Sequence, residues 1–348
     1  MALLKYALRT TQYSPGEMCM TKYAAVTGWG SAIPEKTLTN ADLEKLVDTS
    51  DEWITTRTGI KERRVIGEGE STLTLAVEAA RKALKCAGVS PWEVDLIICC
   101  TATPDYLFPA TACLVQHEIG AENAGAFDLE AACSGFIYGL AVGSQFVSTG
   151  AYETVLVVAA EALSRFVDWQ DRATCVLFGD GAGAVVLQAS ENKSGLLSFV
   201  LGSHGVGEDL IKLPAGGARY PATEETVQNR AHFIKMNGQE TYRFAVRIMG
   251  DSALEALEKS GLNYEDISLF VPHQANLRII SSIADRLRLD QSKVFIDIEK
   301  YGNTSAASIP IALCEAIEQG RVCNGDNILF IAFGAGLTSA AAILKWGR

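Results

Sequence analysis

An α/β fold built from two similar halves is what this chain predicts, on three observations. Short continuous apolar runs such as "DLIICCTAT" from Asp95 and "ILFIAFG" from Ile328 read as strands buried on both faces. Segments with apolar residues at helical spacing lie between them. The strand-like runs also recur in register: "DLIICCTATPD" with "DISLFVPHQAN", "FDLEAACSG" with "FIDIEKYGNTS", and "VLVVAAEALS" with "ILFIAFGAGLTS". Each pair is offset by roughly 170 residues, the mark of a duplicated unit. Strands that alternate with helices predict largely parallel central pairing.

Taken in order, residues 1–20 ("MALLKYALRTTQYSPGEMCM") carry Lys5 and Arg9 and no acid before Glu17. They lack the apolar stretch and the small-residue cleavage site of a signal peptide. The segment is expected to be an extended or disordered N-terminal extension, with Met18 or Met20 as alternative starts. The halves are expected at 21–195 and 196–348. In the first, "STLTLAVEAARKALKCAG" begins on a Ser/Thr cap and ends on Gly88, a helix with both punctuation marks. "SGFIYGLAVGSQFVSTG" is the second helical segment. "TYRFAVRIMGDSALEALEKSG", "NLRIISSIADRLRL" and "SAASIPIALCEAIEQG" supply helices to the other half. Residues 202–239, rich in Gly, Pro and polar side chains, break the pattern and are expected to be an insertion that caps a site.

Bulk properties exclude several classes. A formal net charge of −11 argues against nucleic acid as the main partner. Local basic clusters remain, in "RTGIKERR" and among Arg243, Arg247, Arg278, Arg286 and Arg288, and such clusters are ordinarily solvated faces. No uninterrupted apolar run reaches the length of a membrane span. The nine cysteines form no CxxC pair and no spaced His/Cys set, so a disulfide framework and a metal site are not expected, and reduced, cytoplasmic thiols are. Cys99 and Cys100, adjacent on one strand, should pack on opposite faces.

Functional groups of such folds gather where strands end and helices begin. Cys133, in "FDLEAACSGFIYGL", sits at such a junction. The positive end of the following helix is expected to lower its pKa, and its own backbone N–H is free to face an oxyanion. His273 in "LFVPHQANLRII" and Asn303 in "KYGNTSAAS" occupy comparable turns of the other half. Taken singly, each has an ordinary structural role: a packed cysteine, a hydrogen-bonded histidine, an N-cap asparagine. Taken together they supply a nucleophile, a donor or base, and a neutral donor. "FGDGAGAVVLQ" contains GxGxG, but a strand-like run follows it where a dinucleotide site needs a helix, so that reading is rejected. The turn from Phe333 to Gly336, with Ala335 in it, can complete an oxyanion hole through its N–H groups.

"TSDEWITTRTGIKERR", "AACSGF", "FGDGAGA", "VPHQANLRII", "YGNTSAAS" and the terminal "AFGAGLTSAAAI" together resemble the β-ketoacyl-[acyl-carrier-protein] synthase III family, from Thr21 to the C-terminus. The resemblance implies the thiolase fold, a five-layered α-β-α-β-α sandwich of duplicated halves, working as a homodimer. It implies decarboxylating condensation of a short acyl-CoA with malonyl-[acyl-carrier-protein], with Cys133 as acyl carrier and His273 and Asn303 completing the triad. Trp53, Arg57, Thr49, Arg172 and Asn276 would hold coenzyme A. Phe178 and Phe333 would line the acyl pocket, and Phe108 would reach that of the partner subunit. Arg278, Arg243 and Arg286 would dock the acidic carrier protein. Acyl-CoA is then a substrate, and no permanently bound cofactor is expected. Ala335 stands where the family often has glycine, and Asp285 where many members carry a basic residue. The rival readings are transfer of the acyl group to an oxygen or nitrogen nucleophile, and a cysteine thioesterase.

Overall fold

The structure, a computed structural model, describes residues 23–347, and the expectations for residues 1–20 lie outside them. The first half contributes strands β1 (Tyr23–Ala32), β2 (Leu96–Cys100), β3 (Gly125–Leu129), β4 (Thr154–Glu161) and β5 (Gly181–Ser190). Its principal helices are α1 (Asp51–Thr58), α2 (Thr72–Ala87), α3 (Thr111–Ile119) and α4 (Gly135–Ser148). The second half contributes β6 (Gly195–Ser203), β7 (Leu269–Pro272), β8 (Asn327–Gly334) and β9 (Thr338–Lys345). Its principal helices are α5 (Gly238–Ser260), α6 (Leu277–Arg286) and α7 (Ser308–Glu318).

The two sheets show the duplication directly. One runs β1-β5-β4-β2-β3, and the other, from its matching edge, β6-β9-β8-β7. Each β4-like strand pairs antiparallel with the strand that follows its glycine-rich turn and parallel with the β2-like strand. Pairing is therefore mixed, not largely parallel as the alternation of elements suggested. The reason is local: "FGAGL" brings the chain back at once into β9, a hairpin, and β1 and β6 enter antiparallel at the sheet edges. A second expectation also changes. "FIDIE", read as the counterpart of β3, forms no strand among the described residues; a single parallel bridge, Val294 to Phe270, stands just before it. Beyond it the side chain of Gln274 replaces the ladder. Its Nε2 donates to the carbonyls of Pro272 (2.9 Å) and Phe295 (3.2 Å), and its Oε1 accepts from Asp297 N–H (3.2 Å).

Three apolar clusters define the layers. The middle one packs α4 and α7 between the sheets, with Phe136 and Phe330 edge to face at 6.4 Å. The second packs α2 and α3 on the outer face of the first sheet, and the third packs α5 and α6 on the outer face of the second. The order is α-β-α-β-α. Cys100 belongs to the middle cluster and Cys99 to the outer one, as alternation along a strand requires. Helix α2 is capped by Ser71 and ends on Gly88 at φ 69°. It reaches β1 through a glycine: a Cβ on Gly28 would lie 2.4 Å from the Ala83 carbonyl. The glycines of "FGDGAGA" have a similar use, since Gly181 and Gly183 lie inside β5, where Gly183 admits Pro310 of α7.

Residues 204–237 leave the layered body between β6 and α5. A two-residue pairing of Ile211–Lys212 with Lys235–Met236 organises them. Asp168 fastens them down by an ion pair with Arg230, with Lys235 at 3.7 Å, and Phe166 accepts from Ile234 N–H at 2.9 Å.

Candidate active site

Cys133, His273 and Asn303, up to 170 residues apart in sequence, line one cavity of about 1200 Å³. Phe178, Phe333 and Ala335 line it with them. Each triad residue arrives on a loop that follows a distinct element and is held there by main-chain bonds.

Cys133 follows β3 and occupies a single 3₁₀ turn, Ala132–Ser134, that runs into α4. Ala132 sits at φ 46°, a left-handed conformation that turns the chain sharply just before the sulfur. The Glu130 carboxylate accepts from Ala132 N–H at 2.9 Å, and Thr338 Oγ1 lies 2.9 Å from the Ala131 carbonyl and 3.1 Å from Ser134 Oγ. The end of β8 comes so near that a Cβ on Gly334 would lie 2.6 Å from the Cys133 nitrogen. The N–H of Cys133 and the Ala335 turn thus share one corner of the cavity.

The helix-terminal position was expected to favour a thiolate. Instead burial pushes the Cys133 thiol up to about 12, despite the Ser305 hydroxyl beside it. Desolvation disfavours the charged form, so the resting sulfur is protonated.

His273 follows β7, is 2 % exposed, and donates its backbone N–H to Ile331 at 2.8 Å. Its Nδ1 lies 2.7 Å from Ser308 Oγ. Burial alone lowers its pKa to about 3, which keeps the ring neutral at physiological pH. Asn303 follows the φ 66° turn at Gly302 and bridges to Phe178 through two backbone bonds, Asn303 N–H to Leu177 and Gly179 N–H to Asn303. Its Oδ1 accepts from Ser305 N–H at 2.8 Å, the local role expected of an asparagine at a helix start. That bond orients the amide and leaves its NH₂ group as donor. Sequence reasoning missed Ser308, Ser305 and Glu161. The first two stand inside the "NTSAAS" motif, and the third is a carboxylate closing the apolar strand β4.

These features fit the comparisons with known proteins. Two family models match: "3-Oxoacyl-[acyl-carrier-protein (ACP)] synthase III" over residues 127–205 and its C-terminal counterpart over 257–346. A β-ketoacyl-[acyl-carrier-protein] synthase III of Roseiflexus sp. (strain RS-1) is 56% identical over 327 residues, covering 94% of this chain and 99% of that one. The chain belongs to the β-ketoacyl-[acyl-carrier-protein] synthase III family. The crystal structure of the synthase III of Aquifex aeolicus VF5 is 50% identical, covers 93% of this chain and 100% of its own, and superposes with a TM-score of 0.87. The priming β-ketosynthase of the R1128 polyketide pathway is 37% identical at a TM-score of 0.88, over 96% and 99% of the two chains.

The remaining positions expected of a synthase III divide in two. Trp53, Arg57, Asn276, Arg243 and Arg278 line the cavity. Arg172 flanks it: its guanidinium lies 5.0 Å from the Trp53 ring centroid and that of Arg57 4.6 Å. Both ends of the Asn276 amide are engaged, Nδ2 donating to the Arg57 carbonyl (3.0 Å) and Oδ1 accepting from Arg278 N–H (2.9 Å). Asn276 therefore ties α6 to α1 beside Trp53. Thr49, Phe108 and Arg286 do not line the cavity. Thr49 Oγ1 is buried and has no partner among the described residues, Phe108 is 85 % exposed on a loop, and Arg286 is committed to Asp251 (2.5 Å) and the Arg247 carbonyl (2.8 Å). Among the described residues no helix is long and apolar enough to cross a membrane.

Proposed function

We propose that this enzyme takes the acyl group of a short acyl-CoA onto Cys133 as a thioester and condenses it with malonyl-[acyl-carrier-protein], releasing CO₂ and 3-oxoacyl-[acyl-carrier-protein]. This is the step that initiates fatty-acid synthesis. One observation carries the reading: a half-buried thiol, a neutral imidazole and an oriented amide share a single cavity. Forming the acyl-Cys133 thioester divides one difficult carbon–carbon bond formation into two easier steps. The N–H groups of Cys133 and Ala335 support the oxyanion at the acyl carbonyl. His273 and Asn303 donate to the thioester oxygen of the malonyl group as it loses CO₂ and becomes an enolate. A neutral donor pair supports that charge without protonating the carbanion, and loss of one such donor costs about 2.7–4 kcal/mol. The enolate carbon then attacks the acyl carbonyl and expels the Cys133 sulfur.

Trp53, Arg57 and Arg172 receive the nucleotide end of coenzyme A, Asn276 lies along its pantetheine, and Thr49 is a further coenzyme A-binding position. Phe178 and Phe333 bound the acyl group. Arg243 and Arg278 are exposed at the cavity and receive the acidic carrier protein, and Arg286 braces the helix that carries Arg278. No permanently bound cofactor takes part, and the protein works in the cytoplasm. A homodimer is supported by β3, an edge strand that among the described residues pairs only with β2. The N-terminal amides of α3 bind Asp128 of β3 at 2.7 Å, and the loop before α3 exposes Leu107 and Phe108 at 80 % and 85 %. Pairing of that edge with a second copy would cover the loop and bring Phe108 to the partner's acyl pocket.

Transfer to an oxygen or nitrogen nucleophile, or hydrolysis, requires no enolate, whereas the neutral His273 and oriented Asn303 form the donor pair that an enolate needs. The test is mass spectrometry of the protein with a panel of acyl-CoAs, with and without malonyl-[acyl-carrier-protein]. The expected result is an acyl adduct on the Cys133 peptide that clears as 3-oxoacyl product forms. An adduct on another peptide, or free acid as sole product, overturns the reading.

A further inference from the structure

A protonated Cys133 must lose its proton as the sulfur attacks a thioester. His273, whose ring resists protonation down to about pH 3, is a poor acceptor for it. A second buried group faces the same thiol. Glu161, the last residue of β4, is fully buried. Its carboxylate accepts from Thr103 Oγ1 at 2.6 Å, from Ala102 N–H at 3.2 Å and from the Thr101 hydroxyl at 3.4 Å. The Ser305 hydroxyl and Ala306 N–H approach it from the second half of the chain. That same Ser305 hydroxyl lies beside the Cys133 sulfur. Ser305 is held for this position: it is 4 % exposed, sits at φ 49°, and has its N–H fixed by Asn303 Oδ1. Ala102, Thr103, Ser305 and Cys133 all line the cavity. A carboxylate held, among the described residues, by hydroxyls and amides alone, at the end of a buried strand, is costly to keep for packing alone.

We infer that Ser305 and Glu161 form the path along which the Cys133 proton leaves during acylation and returns during condensation. The inference rests on Cys133 being the acyl carrier. In acylation the sulfur forms a bond to the thioester carbon and the coenzyme A sulfur leaves as thiolate, to be protonated by solvent. The thiol proton passes to Ser305 Oγ as the serine proton passes to Glu161. In condensation the enolate displaces the Cys133 sulfur, which recovers its proton by the reverse path, and Glu161 returns to carboxylate. The sum consumes one proton per turnover, the one taken up by coenzyme A, and leaves the enzyme unchanged. Burial raises Glu161 to about 7 against the donors around it, suited to giving and taking a proton near neutrality. The titratable groups that feel its charge are the thiols of Cys99, Cys100 and Cys133.

The test is single-turnover acylation by acyl-CoA, followed by mass spectrometry across pH, alongside malonyl decarboxylation by the same proteins. In the native chain the acylation rate rises with pH and levels above about 7, as Glu161 ionises. Glu161→Gln is expected to slow acylation on the order of 100-fold near neutral pH, with a rate that climbs steadily with pH and never levels. Ser305→Ala leaves the Thr101, Ala102 and Thr103 contacts of Glu161 in place and should give the same profile, which keeps the test readable if the glutamine variant folds poorly. In both, the loss falls far more heavily on acylation than on decarboxylation. A plateau near pH 7 that survives in Ser305→Ala, or equal loss in both half-reactions with the native profile, overturns the inference and leaves Glu161 a clasp between β2 and β4. Absence of acyl-Cys133 in the native chain instead defeats the acyl-carrier reading itself.

Discussion

The hydroxyl of Ser308 lies 2.7 Å from Nδ1 of His273, across 35 residues of sequence. Gln274 N–H also points at that hydroxyl, at 3.3 Å. Ser308 Oγ keeps a proton to give as well as a second lone pair; when that proton goes to Nδ1, the ring proton sits on Nε2, where it can donate toward the cavity. Ser308→Ala should slow malonyl decarboxylation about ten-fold, from a buried hydrogen-bond loss of about 1–3 kcal/mol, and leave formation of acyl-Cys133 little changed. Release of CO₂ from malonyl-[acyl-carrier-protein] measures the first and protein mass the second. Ser308→Thr should restore most of the loss.

The neutral state of His273 also has a consequence for stability. Its folded pKa of about 3 lies below the ordinary 6.5, so between those values the unfolded chain binds a proton that the native chain refuses. The contribution is full above 6.5 and lost as pH falls toward 3, at up to about 1.4 kcal/mol per pH unit. Denaturant unfolding of His273→Gln against the native chain should show a shallower acid slope in the variant. Parallel slopes would contradict a buried neutral ring.

Gly334 is required by distance. An alanine Cβ would lie 2.6 Å from the Cys133 nitrogen and 3.0 Å from Ala132 Cβ, and backbone cannot swing away as a flexible side chain can. Gly334→Ala should displace the Cys133 turn and reduce acylation by on the order of 100-fold, the loss typical of a spoiled oxyanion donor. Burst amplitude and rate with acyl-CoA measure it.

Trp53 carries two guanidiniums near its ring, at 4.6 and 5.0 Å. If it also stacks on the adenine, Trp53→Ala should raise KM for acyl-CoA by about ten-fold or more, in line with the roughly 1–3 kcal/mol of base–aromatic stacking. The KM for malonyl-[acyl-carrier-protein] should move less. Steady-state kinetics with each substrate varied separates the two.

The Asp168–Arg230 pair holds residues 204–237 over the cavity, and Arg230 keeps the Asp168 carboxyl down at about 2. The clasp therefore persists above the ordinary carboxylate range and is lost only as pH falls toward that value. Asp168→Asn should speed limited proteolysis between β6 and α5 at neutral pH, read by peptide mapping, while the layered body stays intact.

Much of the fold was legible before any coordinate. The capped helix from Ser71 to Gly88, the buried strands and their recurrence each rest on local chemistry that a sequence displays. The mixed pairing was harder, because strand direction depends on where a chain re-enters a sheet. "FIDIE" misled because its alternation suits a strand, and only the Gln274 side chain, from a different loop, takes over the pairing. At the site, Cys133, His273 and Asn303 could be found from the turns they occupy, whereas Glu161 looked like the polar end of one more strand.

The sequence alone determined the order of elements, the doubled architecture and the identity of the three triad side chains, since these follow from periodicity, turn chemistry and motif. Tertiary structure decided their protonation. A thiol near 12, an imidazole near 3 and a carboxylate near 7 arise from how deeply each is buried and from which distant hydroxyls and amides reach it. Desolvation is a property of the assembled interior, so no local pattern in the chain could have announced it.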